Sequence, residues 1–285
     1  MSYNSSTSAS TAFGLRVQSL AACALLLTAA ACSEAPKASH NRAAPTQQLP
    51  QQLSPNSVDF ADSLRQLALP GIDVHTFESL LVVAIDNQTY EPRMLADTEQ
   101  GMSGVDAMMI SDMAIVIGSG FVTELNGLQP VGLLQVQGHI LNDVQPHGYT
   151  RILGINDQGL GVVHRSEFQR TLFASALQAG PGIVESGQLD ISKRDLERPK
   201  YFRSFIATCG EKTAVGISLE PMNLYTLGQH LIAHLPKSNL QCDEVVNLAG
   251  DRETILAAKS PHDDTYIYYG HPNTHKVSLL GFRSR

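Results

Sequence analysis

The chain lacks several signatures that would point to common chemistries. It has no phosphate-binding P-loop and no dinucleotide-binding fingerprint, which argues against a nucleotide-dependent enzyme of either kind. It has no internal repeat. It has no excess of positive charge. The formal net charge is −7, which argues against nucleic acid or an anionic membrane surface as the main partner. A phosphate ligand needs only local positive charge and is still allowed. Ser119 lies between two glycines, but Ile117 stands where a nucleophile elbow needs glycine. His230 and His234 have an i, i+4 spacing that can ligate zinc, yet Leu231 replaces the glutamate of the metalloprotease pattern and no third ligand declares itself. No metal and no cofactor is therefore expected.

What is present begins with a targeting segment. Arg16 is the only charged side chain before Glu34, and an apolar stretch from Val17 to Ala31 ends in Ala29-Ala30-Ala31-Cys32. A basic start, a short apolar core and small residues before a cut site make a secretory signal over residues 1–31. The stretch is too short for a comfortable membrane span. Cys32 at the cut is the expected lipidation site, and cleavage without a lipid is the alternative. Leu20-Ala21-Ala22-Cys23 also fits a lipobox, but it lies too early. Ser33 is not the aspartate that retains lipoproteins at the inner membrane, so the outer membrane, facing the periplasm, is the expected address. Removing Arg16 with the signal takes the charge from −7 to −8. Residues 32–57, rich in Ala, Pro, Gln and Ser, read as a lipidated, disordered tether. Residues 58–285 suit one domain with a sizeable core.

Within that domain Leu80 to Asp86 is a compact apolar run, read as a buried strand, and Met108 to Ile117 is a second, interrupted by Ser111-Asp112. Val131 to Val136 reads as a strand after the Asn126-Gly127 turn. Thr150 to Ile155 and Leu160 to His164 flank Asn-Asp-Gln-Gly, a hairpin signal; Phe202 to Thr208 and Thr213 to Ser218 flank Cys-Gly-Glu-Lys, another. Leu224, Leu227, Leu231, Ile232 and Leu235 recur at helical spacing within Met222 to Leu235. Val245 to Leu248, Thr265 to Tyr269 and Val277 to Phe282 close the pattern as strands. Many strands with few helices predict a single α+β domain with a mixed sheet.

Three segments carry the functional reading. Ser175 to Gly187, SALQAGPGIVESG, places a Gly-Pro-Gly bend between two extended pieces, as in a hairpin. Gly118 to Gly138 runs from a glycine cluster through Phe121 and the Asn-Gly turn to Pro130-Val131-Gly132-Leu133. Cys242 to Gly250 is a short apolar run ending in a polar loop. Together they resemble the phosphodiester glycosidase family over about residues 70–260. That family reads roughly NGGFF…NG.P.GL.I..G, then A.QSGP.LV..G, then R-[RST]-A-[IV]-G, then NLDGG. The matching stretches here are Gly118-Ser119-Gly120-Phe121-Val122, Ala176 to Pro181, Arg203 to Ala207, and Asn247-Leu248-Ala249-Gly250-Asp251. Ala249 stands at the family's aspartate, Ala179 at its serine, Gly118 at its asparagine and Val122 at its second aromatic residue.

The resemblance implies hydrolysis of a bond between a sugar's anomeric carbon and a phosphate, with a glycan or sugar phosphate as ligand. Such a site needs a cation on the phosphate and polar groups to hold the sugar and activate water. Arg203 has the planar fork that matches two phosphate oxygens. Its neighbours Lys193, Arg194, Arg198 and Lys200 also admit a plain surface role for it. Asp251 and Asn247 are the other expected catalytic residues. Gly118, Ser119, Gly120, Phe121, Gln178, Gly180 and Gly250 are expected to bind substrate. On an extended strand the two-residue move from Ala249 to Asp251 is about 6–7 Å. The alternative reading is therefore a degenerate relative that binds glycan or protein without turnover. Cys209 and Cys242 are expected to form a disulfide in an oxidising compartment, two buried thiols being the other possibility. Replacing Cys32 tests the targeting reading. Cys32→Ser is expected to abolish incorporation of labelled palmitate and release the protein from membranes; retained labelling would refute lipidation at this residue.

Overall fold

The structure, a computed structural model, describes residues 57–123, 128–263, 265–271 and 273–285. The signal segment, Cys32, the tether up to residue 56 and the Asn126-Gly127 turn lie outside the described residues. Among the described residues no helix is long and apolar enough to cross a membrane.

The run Leu80-Leu81-Val82-Val83-Ala84-Ile85 has no polar alternation, which requires a strand covered on both faces. The strand Leu80–Asp86 meets that demand. Leu81, Val83 and Ile85 face a central core, while Leu80, Val82 and Ala84 face a second core under the helix Leu224–His234. It lies second in a seven-stranded sheet ordered Ile72–Phe77, Leu80–Asp86, Lys212–Ser218, Arg203–Cys209, Glu244–Gly250, Gly182–Glu185, Gln188–Leu189. A five-stranded sheet follows the order Gly159–His164, Arg151–Asn156, Ser175–Ala179, Leu134–Val136, His139–Asn142. A second five-stranded sheet follows Tyr266–Gly270, Ile255–Lys259, Ile115–Ser119, Ser278–Ser284, Tyr90–Ala96. Pairing between these strands is antiparallel. Pro92 is confined to an edge strand, where a missing N–H costs least.

All three sheets contribute to the central core. Ile206, Val246 and Leu248 come from the first, Leu153 and Ala179 from the second, and Ile117, Leu256 and Leu280 from the third. The helix Ser57–Gln66 adds Phe60 and Leu64 to this core. The helix Gly104–Ser111 covers the outer face of the third sheet through Ala107 and Met108. The result is a single sheet-rich α+β domain, with the strands spread over three large sheets and a two-stranded pair, Phe121–Val122 with Pro130–Val131.

The two hairpins at Asn156–Gly159 and Cys209–Lys212 form in the registers their turns suggest. Three other local readings need correction. Met108 to Ile117 is not one strand. Ser103 and Asp106 form a capping box that starts the helix Gly104–Ser111, Asp112 ends it in the left-handed region, and a strand begins at Ile115. Val131 to Val136 is broken at Gly132, whose φ of 84° no ordinary strand residue holds. The Gly-Pro-Gly bend does not close a hairpin. Ser175–Ala179 and Gly182–Glu185 belong to different sheets, so the bend, with its cis Gly180–Pro181 bond, is a corner where the chain changes sheets. A disulfide joins Cys209 to Cys242, tying the end of one central strand to the approach of its neighbour.

The Ser57–Gln66 helix had no clear sequence signal, yet Phe60 is buried against the Tyr269 ring at 5.9 Å. Phe60→Ala is expected to lower unfolding free energy by about 3–5 kcal/mol. Urea denaturation checks this; a loss under ~1 kcal/mol would show that the helix does not belong to the core.

Candidate functional site

Arg203 begins its strand directly opposite Gly250 in the neighbouring strand. After Gly250 the chain turns through a short 3-10 segment, Asp251–Glu253. Asp251 adopts φ 54°, and its N–H donates to the Phe202 carbonyl at 2.8 Å. From the third sheet, Gly120 takes φ 82° and donates its N–H to the Leu248 carbonyl at 3.2 Å, which brings Phe121 alongside. Tyr149, just before the Arg151–Asn156 strand, packs on Phe121 with ring centres 4.5 Å apart. These elements enclose a cleft of about 710 Å³, lined among others by Phe121, Tyr149, Tyr201, Arg203, Asp251 and Glu253. The glycine-loop, arginine and polar-loop segments thus meet at one place.

The Arg203 side chain is held but not neutralised. Its Nε donates to the Met222 carbonyl at 3.3 Å, and its guanidinium carbon sits 5.1 Å from the centre of the Tyr201 ring. Among the described residues no carboxylate pairs with it. Burial pushes its pKa down, while Asp195, Tyr201 and Asp251 push it back up. Arginine stays charged regardless. Asp195 and Asp251 act on it through their field, without an ion pair, so this half-buried cation keeps its fork open to an incoming anion. Gly250 borders the guanidinium, where a Cβ would make ordinary contact with an Arg203 Nη at 3.4 Å.

Other expected site residues lie behind the wall. Gln178 is fully buried, and its amide is completely satisfied by protein. Its Oε1 accepts from the N–H groups of Leu133 and Gln145, and its Nε2 donates to the carbonyls of Gln145 and Tyr149. It positions the loop that carries Tyr149 and has no capacity left for substrate. Gly180 is also internal: its N–H donates to the Asn247 carbonyl at 2.8 Å. Asn247 is 2 % exposed; its N–H donates to the Pro181 carbonyl and its Nδ2 to the Gly180 carbonyl, so it pins the corner. Its Oδ1 has no partner. Gly118 lies under the acidic turn, where a Cβ would come 2.1 Å from the Glu253 carbonyl oxygen. Ser119 is buried, with an unpartnered Oγ. Ala249 is fully buried. His230 and His234 stack at 6.0 Å, with Phe77 against His234 at 5.0 Å.

Sequence reasoning missed four contributors. Tyr201 stands two positions before Arg203, a spacing that places side chains on a shared face of extended chain; Glu253, in the 3-10 turn after Asp251, had no such signal. Tyr149 had no signal. Lys276 had none either: it is 1 % exposed, donates to the Arg252 carbonyl, and sits 3.3 Å from Glu253. Burial lowers its pKa and Glu253 opposes that shift. Lys276 braces the acidic turn from inside.

No family model matches the sequence, and no curated protein matches it. Solved structures do share its fold. The catalytic domain of zebrafish N-acetylglucosamine-1-phosphodiester alpha-N-acetylglucosaminidase, in a form auto-inhibited by its pro-peptide, is similar with a TM-score of 0.54 and 13% identity. The match covers 75% of this chain and 82% of that one. A Burkholderia pseudomallei protein named as exported is similar with a TM-score of 0.51 and 10% identity, over 72% of this chain and 73% of that one. At these identities the relationship is one of fold: a distant likeness to a phosphodiester glycosidase domain.

The internal role of Gln178 has a measurable consequence. Gln178→Leu strands the Leu133 and Gln145 N–H groups and leaves the Gln145 and Tyr149 carbonyls with only the long 3.4 Å bonds from Arg165 Nη1. It is expected to destabilise the protein by about 3 kcal/mol or more in denaturant titrations. A loss under ~1 kcal/mol would mean that Gln178 does not carry this network.

Proposed function

We propose that the cleft binds a sugar-1-phosphodiester and hydrolyses it at the anomeric carbon. The observation that carries this reading is Arg203, a half-buried cation without an acid partner, in the same cleft as Asp251. The likeness of fold to a phosphodiester glycosidase domain supports it.

In this reading the Arg203 fork takes the phosphate oxygens. Phe121, Tyr149 and Tyr201 offer flat apolar surfaces to sugar rings. The bond between the anomeric carbon and the bridging oxygen breaks, and that oxygen leaves with the phosphate as a monoester. Arg203 stabilises the charge it gains. Water adds to the anomeric carbon and gives its proton to the Asp251 carboxylate, which then releases it to solvent. Because phosphate leaves readily, the reaction asks little of a general acid.

A second reading, binding without turnover, is favoured by one feature. Ala249, where the family resemblance puts an aspartate, is fully buried. The proposed location is the cell envelope, lipid-anchored through Cys32 at the outer membrane and facing the periplasm. The similarity to a protein named as exported agrees with export.

Assay of sugar release from a synthetic sugar-1-phosphodiester separates the two readings. Turnover is expected for the unaltered protein, with a loss of about 10²–10³ in kcat/KM for Arg203→Ala and loss of kcat for Asp251→Asn. Binding that depends on Arg203 without sugar release would establish the second reading. Absence of both would overturn the assignment of the cleft.

A further inference from the structure

Cations in this chain are mostly paired, from Arg65 with Asp62 to Arg283 with Glu91. Arg165 and Arg285 donate to backbone carbonyls instead. Among the described residues, Lys193, Arg194, Lys200 and Lys237 make no side-chain hydrogen bond or ion pair. All but Lys237 fall within residues 193–203, the segment that ends at Arg203, in a chain of net charge −7.

This segment is fixed beside the cleft. Its 3-10 turn, Lys193–Glu197, is anchored by Asp195, whose carboxylate accepts the Tyr225 N–H at 3.1 Å near the start of the Leu224–His234 helix. Asp195 is also near enough for its charge to act on Arg203. Arg198 lies 3.7 Å from Asp195 and is the one strip cation in an ion pair among the described residues; Glu197 stands exposed in the same stretch. Lys200 then leads to Tyr201, a residue 41 % exposed whose ring lies against the Arg203 guanidinium. The path into the cleft therefore runs cation, aromatic ring, cation. Residues 193–200 set four cations against two acids, Asp195 and Glu197, and the excess of exposed positive charge is relieved by a chain of external anions.

We infer that residues 193–200 form an entry strip for a polyanionic glycan whose sugar units are joined by repeated phosphodiesters. One phosphodiester reaches Arg203 while its neighbours along the polymer lie on Lys200, Arg194 and Lys193. The inference rests on the anion-binding reading of Arg203 and adds that the ligand is a polymer, not a single small phosphodiester.

The probes are fluorescent oligomers of N-acetylglucosamine 1-phosphate with one or four phosphodiesters, and a thymidine pentanucleotide that also has four. At low salt the unaltered protein is expected to bind the four-phosphate glycan about ten-fold or more tightly than the single one. The triple variant K193S/R194S/K200S is expected to lose that gain and keep its affinity for the single phosphodiester. Its slope of log affinity against log salt should fall by about two. All three side chains are exposed, so an unchanged thermal midpoint is expected and confirms folding. Equal affinity for the two glycans, or a triple variant that keeps the gain, overturns the strip. Equal binding of the pentanucleotide overturns the glycan assignment. Single-phosphodiester binding that survives Arg203→Ala refutes the cleft reading instead, and the tetramer gain still reports on the strip separately.

Discussion

A buried guanidinium, that of Arg151, holds the sheets in the relation that the cleft needs. Arg151 belongs to a five-stranded sheet and is 5 % exposed. Its Nε donates to Glu244 in the seven-stranded sheet, and its Nη2 meets Asp190 at 2.8 Å and Glu185 at 3.3 Å. Burial works against its charge, but the hydrogen bond to Glu244 and the field of the three acids outweigh that and raise its pKa. A buried ion is tolerated only when its partners are complete, so this contact fixes position more than it adds stability. Gly182 leaves room for it: a Cβ would come 2.8 Å from the Arg151 guanidinium carbon and would shift this contact.

The corner at Gly180–Gly182 follows from the same contact. The Thr150 hydroxyl accepts the Gly182 N–H at 3.3 Å, and Asn247 clamps the corner from the other sheet. Tyr149 is therefore held twice, by Gln178 on its carbonyl and by its chain neighbours Thr150 and Arg151. Residues that the family resemblance suggests for substrate act here mainly as frame. Asn247, Gln178 and Gly180 are behind the wall, while Phe121, Arg203, Gly250 and Asp251 line it. A cleft set by buried backbone contacts is preorganised, which is what charge stabilisation requires.

Charge is arranged unevenly around this frame. The acidic turn Asp251–Glu253 is braced from inside by Lys276, and Arg203 is left without an acid. A chain with an excess of acids could have neutralised that arginine. That it does not is a tertiary outcome: the Asp195 carboxylate accepts the Tyr225 N–H, and Asp251 acts on the arginine through its field without an ion pair.

Local backbone preference explains what could be read in advance. The Asn-Asp-Gln-Gly and Cys-Gly-Glu-Lys turns, the spaced leucines after Asn223, and the two-sided apolar strands each depend on residues close in the chain, so α+β architecture was legible. The Ser103 and Asp106 cap was equally local and was overlooked in favour of the apolar run that follows it. Neither sheet membership nor pairing across the chain has such a signal. Arg151 and Glu244 are 93 positions apart, and an unbroken apolar strand announces two covered faces without naming what covers them. Which glycines serve the cleft and which serve the frame, and that Arg203 enters the cleft without an ion pair among the described residues, were settled by distances that exist only after three sheets close on a common core.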